Sequence, residues 1–110
     1  MASVRGEFIL LGGGATAYAG NMIREVIGTF TLEVTGSATA SGQRPIVPNT
    51  YPDGEIYCRL TAIDEPVYVA WGANPTASGA LAANELRLSS ELPDAIAVKG
   101  GNRLSFITGT

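Results

Sequence analysis

The sequence predicts an all-β fold: a single small antiparallel β-sandwich or jelly-roll-like barrel of about seven short strands, with a Gly-rich N-terminal arm. Three observations carry that expectation. Apolar and polar residues alternate in several runs, the period of a strand with one face buried. The runs are short, and Gly, Pro and Asn clusters separate them. No stretch carries a long amphipathic helical pattern. At 110 residues the chain is one domain, large enough for one modest core without disulfides.

Phe8 to Leu11 reads as a short strand closed by Gly12-Gly13-Gly14. Ala15 to Gly20 has no period and reads as an arm or loose loop. Asn21 to Gly28 fits either a helical turn or the start of a strand. Residues 1–28 are thus set apart as N-terminal strand and arm, and residues 29–110 as the sandwich body. Thr29 to Thr35 alternates cleanly, with Phe30, Leu32 and Val34 on one face. Gly36 to Gly54 is a long Gly/Ser/Pro-rich connection with the Pro52-Asp53-Gly54 turn signal. Connections of that length in a compact domain are usually functional or partly disordered.

Glu55 to Ala62 alternates again, with Ile56, Cys58, Leu60 and Ala62 on one face. Asp64-Glu65-Pro66 makes a turn, and Val67, Val69 and Trp71 then share a face. The two runs read as a β-hairpin with Tyr57 and Tyr68 pointing outward on neighbouring strands. Gly72 to Ala83 is a loop. Leu86 and Leu88 mark a short strand, Ala95 to Val98 another, and Lys99-Gly100-Gly101-Asn102 a tight turn into a last strand, Arg103 to Thr108.

Composition bounds the chemistry. There is no histidine and one cysteine, Cys58. That removes His/Cys zinc sites, Cys-His pairs and Ser-His-Asp triads, and the expectation is a protein that is not an enzyme and needs no cofactor or metal. The net charge is −3, with one lysine, Lys99, and arginines spread along the chain. Without a basic cluster, binding to nucleic acid is not expected. No apolar run reaches the roughly 20 residues that span a bilayer, so no membrane partner is expected either. The start of the chain carries no secretory signal pattern, which points to synthesis and folding in a cytoplasm.

Charged residues make up 15% of the chain, against roughly 25% in ordinary soluble domains. Ala, Gly, Thr and Ser take their place, giving a bland surface that stays sticky unless covered. The excess of arginine over lysine suits a protein interface. A GC-rich genome would produce the same bias.

Gly12-Gly13-Gly14-Ala15-Thr16-Ala17 fits G-x-G-x-x-A, but that motif matters only between a strand and a helix, and Gly20 interrupts any helix here. A flexible turn or hinge is the better reading. Asp53, Asp64, Glu65 and Asp94 sit in turns, where Asp forms the turn itself. Trp71 is assigned to the core by its face, and Cys58 reads as a buried, inert thiol.

From Gly54 to Thr108 the chain resembles small all-β virion structural proteins of tailed bacteriophages. The likeness rests on Val67, Val69, Gly72, Pro75, Thr76 and Ala77, followed by a final hairpin marked by Val98, Gly101 and Leu104. In size and composition it is most similar to capsid decoration, or cement, proteins. The resemblance implies a virion structural protein on the capsid surface, made in the host cytoplasm. Such a subunit binds and bridges major capsid proteins, commonly as a homo-oligomeric dimer or trimer. A phage tail, adaptor or fibre component would share these features. A carbohydrate-binding β-sandwich module is a rival of another class, requiring coplanar exposed aromatics and an exposed Trp71. The candidate interface residues are Gly12, Gly13, Gly14 and Tyr18 in the arm, and Arg44, Pro45, Pro48 and Tyr51 in the long connection.

Overall fold

The computed structural model describes residues 1–11, 23–49 and 56–109. Among them are seven strands: β1 (Ser3–Leu11), β2 (Ile23–Glu33), β3 (Ile56–Ile63), β4 (Val67–Gly72), β5 (Glu85–Leu88), β6 (Asp94–Val98) and β7 (Arg103–Thr108). The only helical element among the described residues is a single 3-10 turn at Ser41–Gln43. The strands form a four-stranded sheet in the order β2-β1-β3-β6 and a three-stranded sheet in the order β5-β4-β7. All pairings are antiparallel. The result is a two-sheet sandwich.

The alternating side chains explain why the sheets meet. Val4, Phe8 and Leu10 on β1, with Ile56, Cys58, Leu60 and Ala62 on β3, present one apolar face. Val67 and Val69 on β4 and Leu104 and Phe106 on β7 present the other. On β3 the alternation is complete: buried positions take turns with half-buried ones along the whole strand. Burial of such side chains contributes about 1.5–3 kcal/mol each and is the main term holding the layers together. Leu60, Leu104, Phe106 and Val67 are fully enclosed.

Strand β1 begins earlier than the alternation suggests, because Gly6 interrupts it. A Cβ at Gly6 would run into the ring of Phe30, its cross-strand partner on β2. Phe30 fills the space that a larger residue on β1 would take. Its ring lies 5.5 Å from Phe8 and 6.0 Å from Phe106, so it links the two sheets.

Asn21 to Gly28, open between helix and strand on sequence, is resolved from Ile23 onward as part of β2. The register with β1 shifts twice, between Phe8 and Ile9 and between Leu10 and Leu11. Each shift places one extra residue on β2, a β-bulge. Period two is lost wherever a bulge occurs, which is why this segment has no clean pattern.

Two expectations are corrected. The runs before and after Asp64-Glu65-Pro66 are not a hairpin: β3 pairs with β1 and β6, whereas β4 pairs with β5 and β7. The chain crosses from one sheet to the other at that turn. Tyr57 and Tyr68 therefore sit on different sheets and form no cross-strand pair. The turn at Lys99 to Asn102 is tight, closed by Asn102 N–H to the Lys99 carbonyl (3.0 Å) and Lys99 N–H to the Asn102 side chain (3.0 Å). It too crosses between sheets, so Val98, Gly101 and Leu104 do not mark a hairpin. Alternation reports which face a side chain takes, not which strand lies beside it.

Candidate functional site

A sandwich has four sheet edges, and each exposes main-chain groups unless something covers it. One edge here is closed by an unusual means. The outward N–H groups of β7 belong to Leu104, Phe106 and Thr108. They donate to the Pro45 carbonyl (3.0 Å), the Thr39 hydroxyl (3.0 Å) and the Thr35 carbonyl (2.9 Å). Thr39 N–H returns a bond to the Phe106 carbonyl at 3.0 Å, and Val47 N–H one to the Asn102 carbonyl at 2.8 Å. Residues 35–47 thus form a strap that satisfies the edge without being a regular strand.

The strap changes the reading of the long connection. Arg44 is not free: its guanidinium donates to the Asn74 side chain (2.8 Å), the Thr76 hydroxyl (3.3 Å) and the Thr39 carbonyl (3.4 Å). Pro45 is half-buried and supplies the carbonyl that receives Leu104 N–H. Pro48 is half-buried, and the chain from Pro48 to Asn49 packs closely on Gly100. Val47 between them is fully enclosed, whereas Ile46 is 51% exposed. Ile46 is the exposed apolar side chain of this segment, and composition alone did not single it out. Gly12, Gly13, Gly14, Tyr18 and Tyr51 lie outside the described residues.

The opposite situation holds at β2, the far edge of the four-stranded sheet. Val34 N–H donates to the Ala2 carbonyl at 3.0 Å. In an antiparallel ladder hydrogen-bonded pairs recur every second residue. The regular register from Ser3 to Phe8 therefore turns the main-chain groups of Leu32 and Phe30 toward β1. Those of Thr29, Thr31 and Glu33 face away from the sheet. Their side chains are exposed, and among the described residues no strand or strap covers them. Val26, on the same strand, is 46% exposed. β2 is 11 residues long, against five and four for the outer strands β6 and β5.

The outer faces are mostly occupied. On the larger sheet the Arg59 guanidinium donates two hydrogen bonds to one Glu7 oxygen (2.9 and 3.1 Å), across a register pair. On the smaller sheet residues 73–84 fold back over β4 and β7. Ala77 N–H donates to the buried Ser105 hydroxyl at 3.0 Å. The Glu85 carboxylate holds this loop by accepting from Ser78 N–H (3.0 Å), Gly79 N–H (2.9 Å), Leu81 N–H (3.2 Å) and the Ser78 hydroxyl (3.0 Å). Burial disfavours its charge, yet these donors outweigh it and hold its pKa below the ordinary 4.5. Cys58 is fully enclosed, and burial, with Glu7 nearby, pushes its thiol up to about 12. It is a protonated packing group, not a nucleophile.

Trp71 is half-buried and packs on the core, and it also lines a groove of about 490 Å³ at the end of the sandwich. Among the described residues no group of three or more Cys, Asp or Glu could hold a metal ion, and no helix is long and apolar enough to cross a membrane. No protein-family model, curated protein or solved structure matches this chain.

Proposed function

We propose that the chain is a virion structural protein, a capsid decoration or cement subunit that binds and bridges major capsid proteins and so stabilises the shell. The observation that carries the reading is the edge of β2, which nothing among the described residues covers. Thr29, Thr31 and Glu33 direct their N–H and C=O groups away from the sandwich, ready to receive a strand from a neighbour. The molecule uses chain to close β7, while among the described residues nothing closes the longer strand β2. Ile46 on the strap supplies an apolar contact on the other sheet. Two weak attachments to two shell subunits, made at once by one rigid body, raise the occupancy of both. The bland surface, with 15% charged residues, suits a protein that spends its life against neighbours.

The test is co-sedimentation with shells assembled from the major capsid protein of the genome that encodes this chain. The wild type pellets with the shells and raises their thermal stability. Thr31→Pro removes one outward N–H and leaves the ladder to β1 intact, since proline is tolerated on an open edge. It keeps the wild-type circular dichroism and loses the pelleting. A wild type that stays in the supernatant overturns the cement reading. A Thr31→Pro variant that pellets as well as the wild type overturns β2 as the attachment edge.

A further inference from the structure

We infer that residues 73–84 form a flap that opens as a unit while the two sheets stay folded, and that the Glu85 carboxylate is the latch that keeps it shut. The outer side of the smaller sheet shows what the flap covers. Val67, Val69 and Trp71 of β4 pack on the core, so Tyr68 and Ala70 face outward. Their register partners on β7 are Ile107 and Ser105. Outward residues are ordinarily wet, yet Ala70 is 5% exposed and Ser105 is fully enclosed. The flap lies over this strip: Ala77 N–H donates to the Ser105 hydroxyl (3.0 Å), and Gly79 lies against Ile107.

The fastening of the segment sets it apart from the sandwich. From Ala73 to Ala83 its main chain exchanges no hydrogen bond with the main chain of any described residue. Side chains hold it instead, and two of them carry opposite charges. Arg44, from the strap, donates to the Asn74 side chain (2.8 Å) and the Thr76 hydroxyl (3.3 Å). Glu85, at the start of β5, accepts from Ser78 N–H (3.0 Å), Gly79 N–H (2.9 Å), Leu81 N–H (3.2 Å) and the Ser78 hydroxyl (3.0 Å). Residues 73–84 carry no charged side chain, so both charge-assisted attachments come from outside the flap. Within it only Pro75 and Ala77 are buried, so opening uncovers little apolar surface. Segments with few buried apolar contacts are those that open well below the free energy of global unfolding.

The ends of the segment suit a hinge. Gly72 closes β4 with φ 148°, and Asn84 precedes β5 with φ 57°, both conformations that most side chains disfavour. Trp71 N–H donates to the Asn84 carbonyl (3.1 Å) and draws the two ends together, as at the neck of a compact surface loop. Rotation at these two residues lifts the flap and leaves the ladder between β4 and β5 in place. Leu81, within the flap, has φ 55°, a strained backbone for a residue that carries a Cβ. Its N–H is one of the four groups that Glu85 holds. Opening relieves that strain, and the carboxylate opposes the release. None of these contacts involves β2, so the flap is a property of the free subunit.

Native-state hydrogen exchange of the full chain, followed by NMR at pH 7 in urea below the unfolding transition, tests the inference. Ala77 N–H, seated on Ser105, reports on lifting of the flap, and Gly79 N–H is the second reporter. Cys58 and Arg59 N–H, in the middle of β3 with a strand on each side, report on the sandwich. The expected result is one opening equilibrium shared by Ala77 and Gly79. It is at least about tenfold more favourable than that of Cys58 and Arg59, and it does not change with urea, as a small exposed area requires. Glu85→Gln removes the charge and half the acceptor capacity, keeps the wild-type circular dichroism, and raises the Ala77 and Gly79 rates at least about fivefold. Flap amides that open only together with Cys58 and Arg59, with the same urea slope, overturn the inference, and that comparison needs the wild type alone. Flap rates in Glu85→Gln equal to those of the wild type overturn Glu85 as the latch. No capsid shell enters these measurements, so their outcome is separate from that of the cement reading.

Discussion

Gly6 and Phe30 act as one unit, because the ring on β2 occupies the place of the side chain that β1 lacks. Gly6→Val forces that ring away from Phe8 and Phe106 and costs about 1–3 kcal/mol, the usual penalty for overfilling a packed core. Phe30→Ala leaves the gap unfilled and costs about 3 kcal/mol. Urea denaturation of both variants, read as a shift in midpoint, checks the pair. Cys58 gives a second residue-scale expectation. With its thiol pushed up to about 12 and fully enclosed, it does not react with an aromatic disulfide reagent at pH 8 while the protein is folded. The label enters at the rate at which the protein opens. Prompt labelling of native protein contradicts the placement. Cys58 was legible in the sequence, since its neighbours Ile56 and Leu60 show the face. Gly6 was not, because a glycine in a strand looks like an interruption until the residue covering it is known.

At the scale of elements, the strap and the loop held by Glu85 carry the expectations. Thr39 bonds the Phe106 main chain through both its backbone and its hydroxyl. Thr39→Val keeps the shape and orphans Phe106 N–H, at a cost of about 1–2 kcal/mol. Glu85 is favoured in its charged form by the folded loop. A depressed carboxyl pKa contributes stability that is present above the unfolded value, near 4.5. That stability is lost as pH falls through the lower folded value. The wild type therefore loses stability below about pH 4.5 from this group, while Glu85→Gln lacks that share of the loss and is about 1 kcal/mol weaker near pH 7. Thermal melts of both proteins from pH 7 to pH 3 measure the difference. β3 and β7 were legible because each is a regular strand in a two-sided layer. β2 was half legible: Phe30 and Leu32 gave its second half, whereas the two bulges broke the period in its first. The strap had no signature, since its bonds come from irregular backbone and one threonine. Hence the bonds that Arg44 and Pro45 make within the chain could not be read from the sequence.

For the whole molecule, the connections from β3 to β4 and from β6 to β7 each cross between sheets. Neighbours in sequence are then seldom neighbours in a ladder, and strand pairs must close over long stretches of chain. Topologies of this kind fold in roughly milliseconds to seconds, not microseconds. Stopped-flow refolding followed by Trp71 fluorescence should give one exponential in that range, as for a single cooperative domain. A microsecond phase with full amplitude would contradict it. The all-β class and the seven strands could be anticipated from alternation and turn spacing, but the partition into sheets of four and three could not. A short polar turn such as Asp64-Glu65-Pro66 serves a hairpin and a crossing equally well.

The seating of β7 also governs how this protein comes into being. It is the last of the seven strands to be synthesised, yet it lies between β4 and the strap and brings Leu104 and Phe106 into the centre. A chain that stops before Arg103 contains the strands that pack around those residues but lacks the residues themselves. The ribosome therefore delivers an unsealed molecule until the final strand emerges, and damage confined to that strand would forfeit the product as a whole.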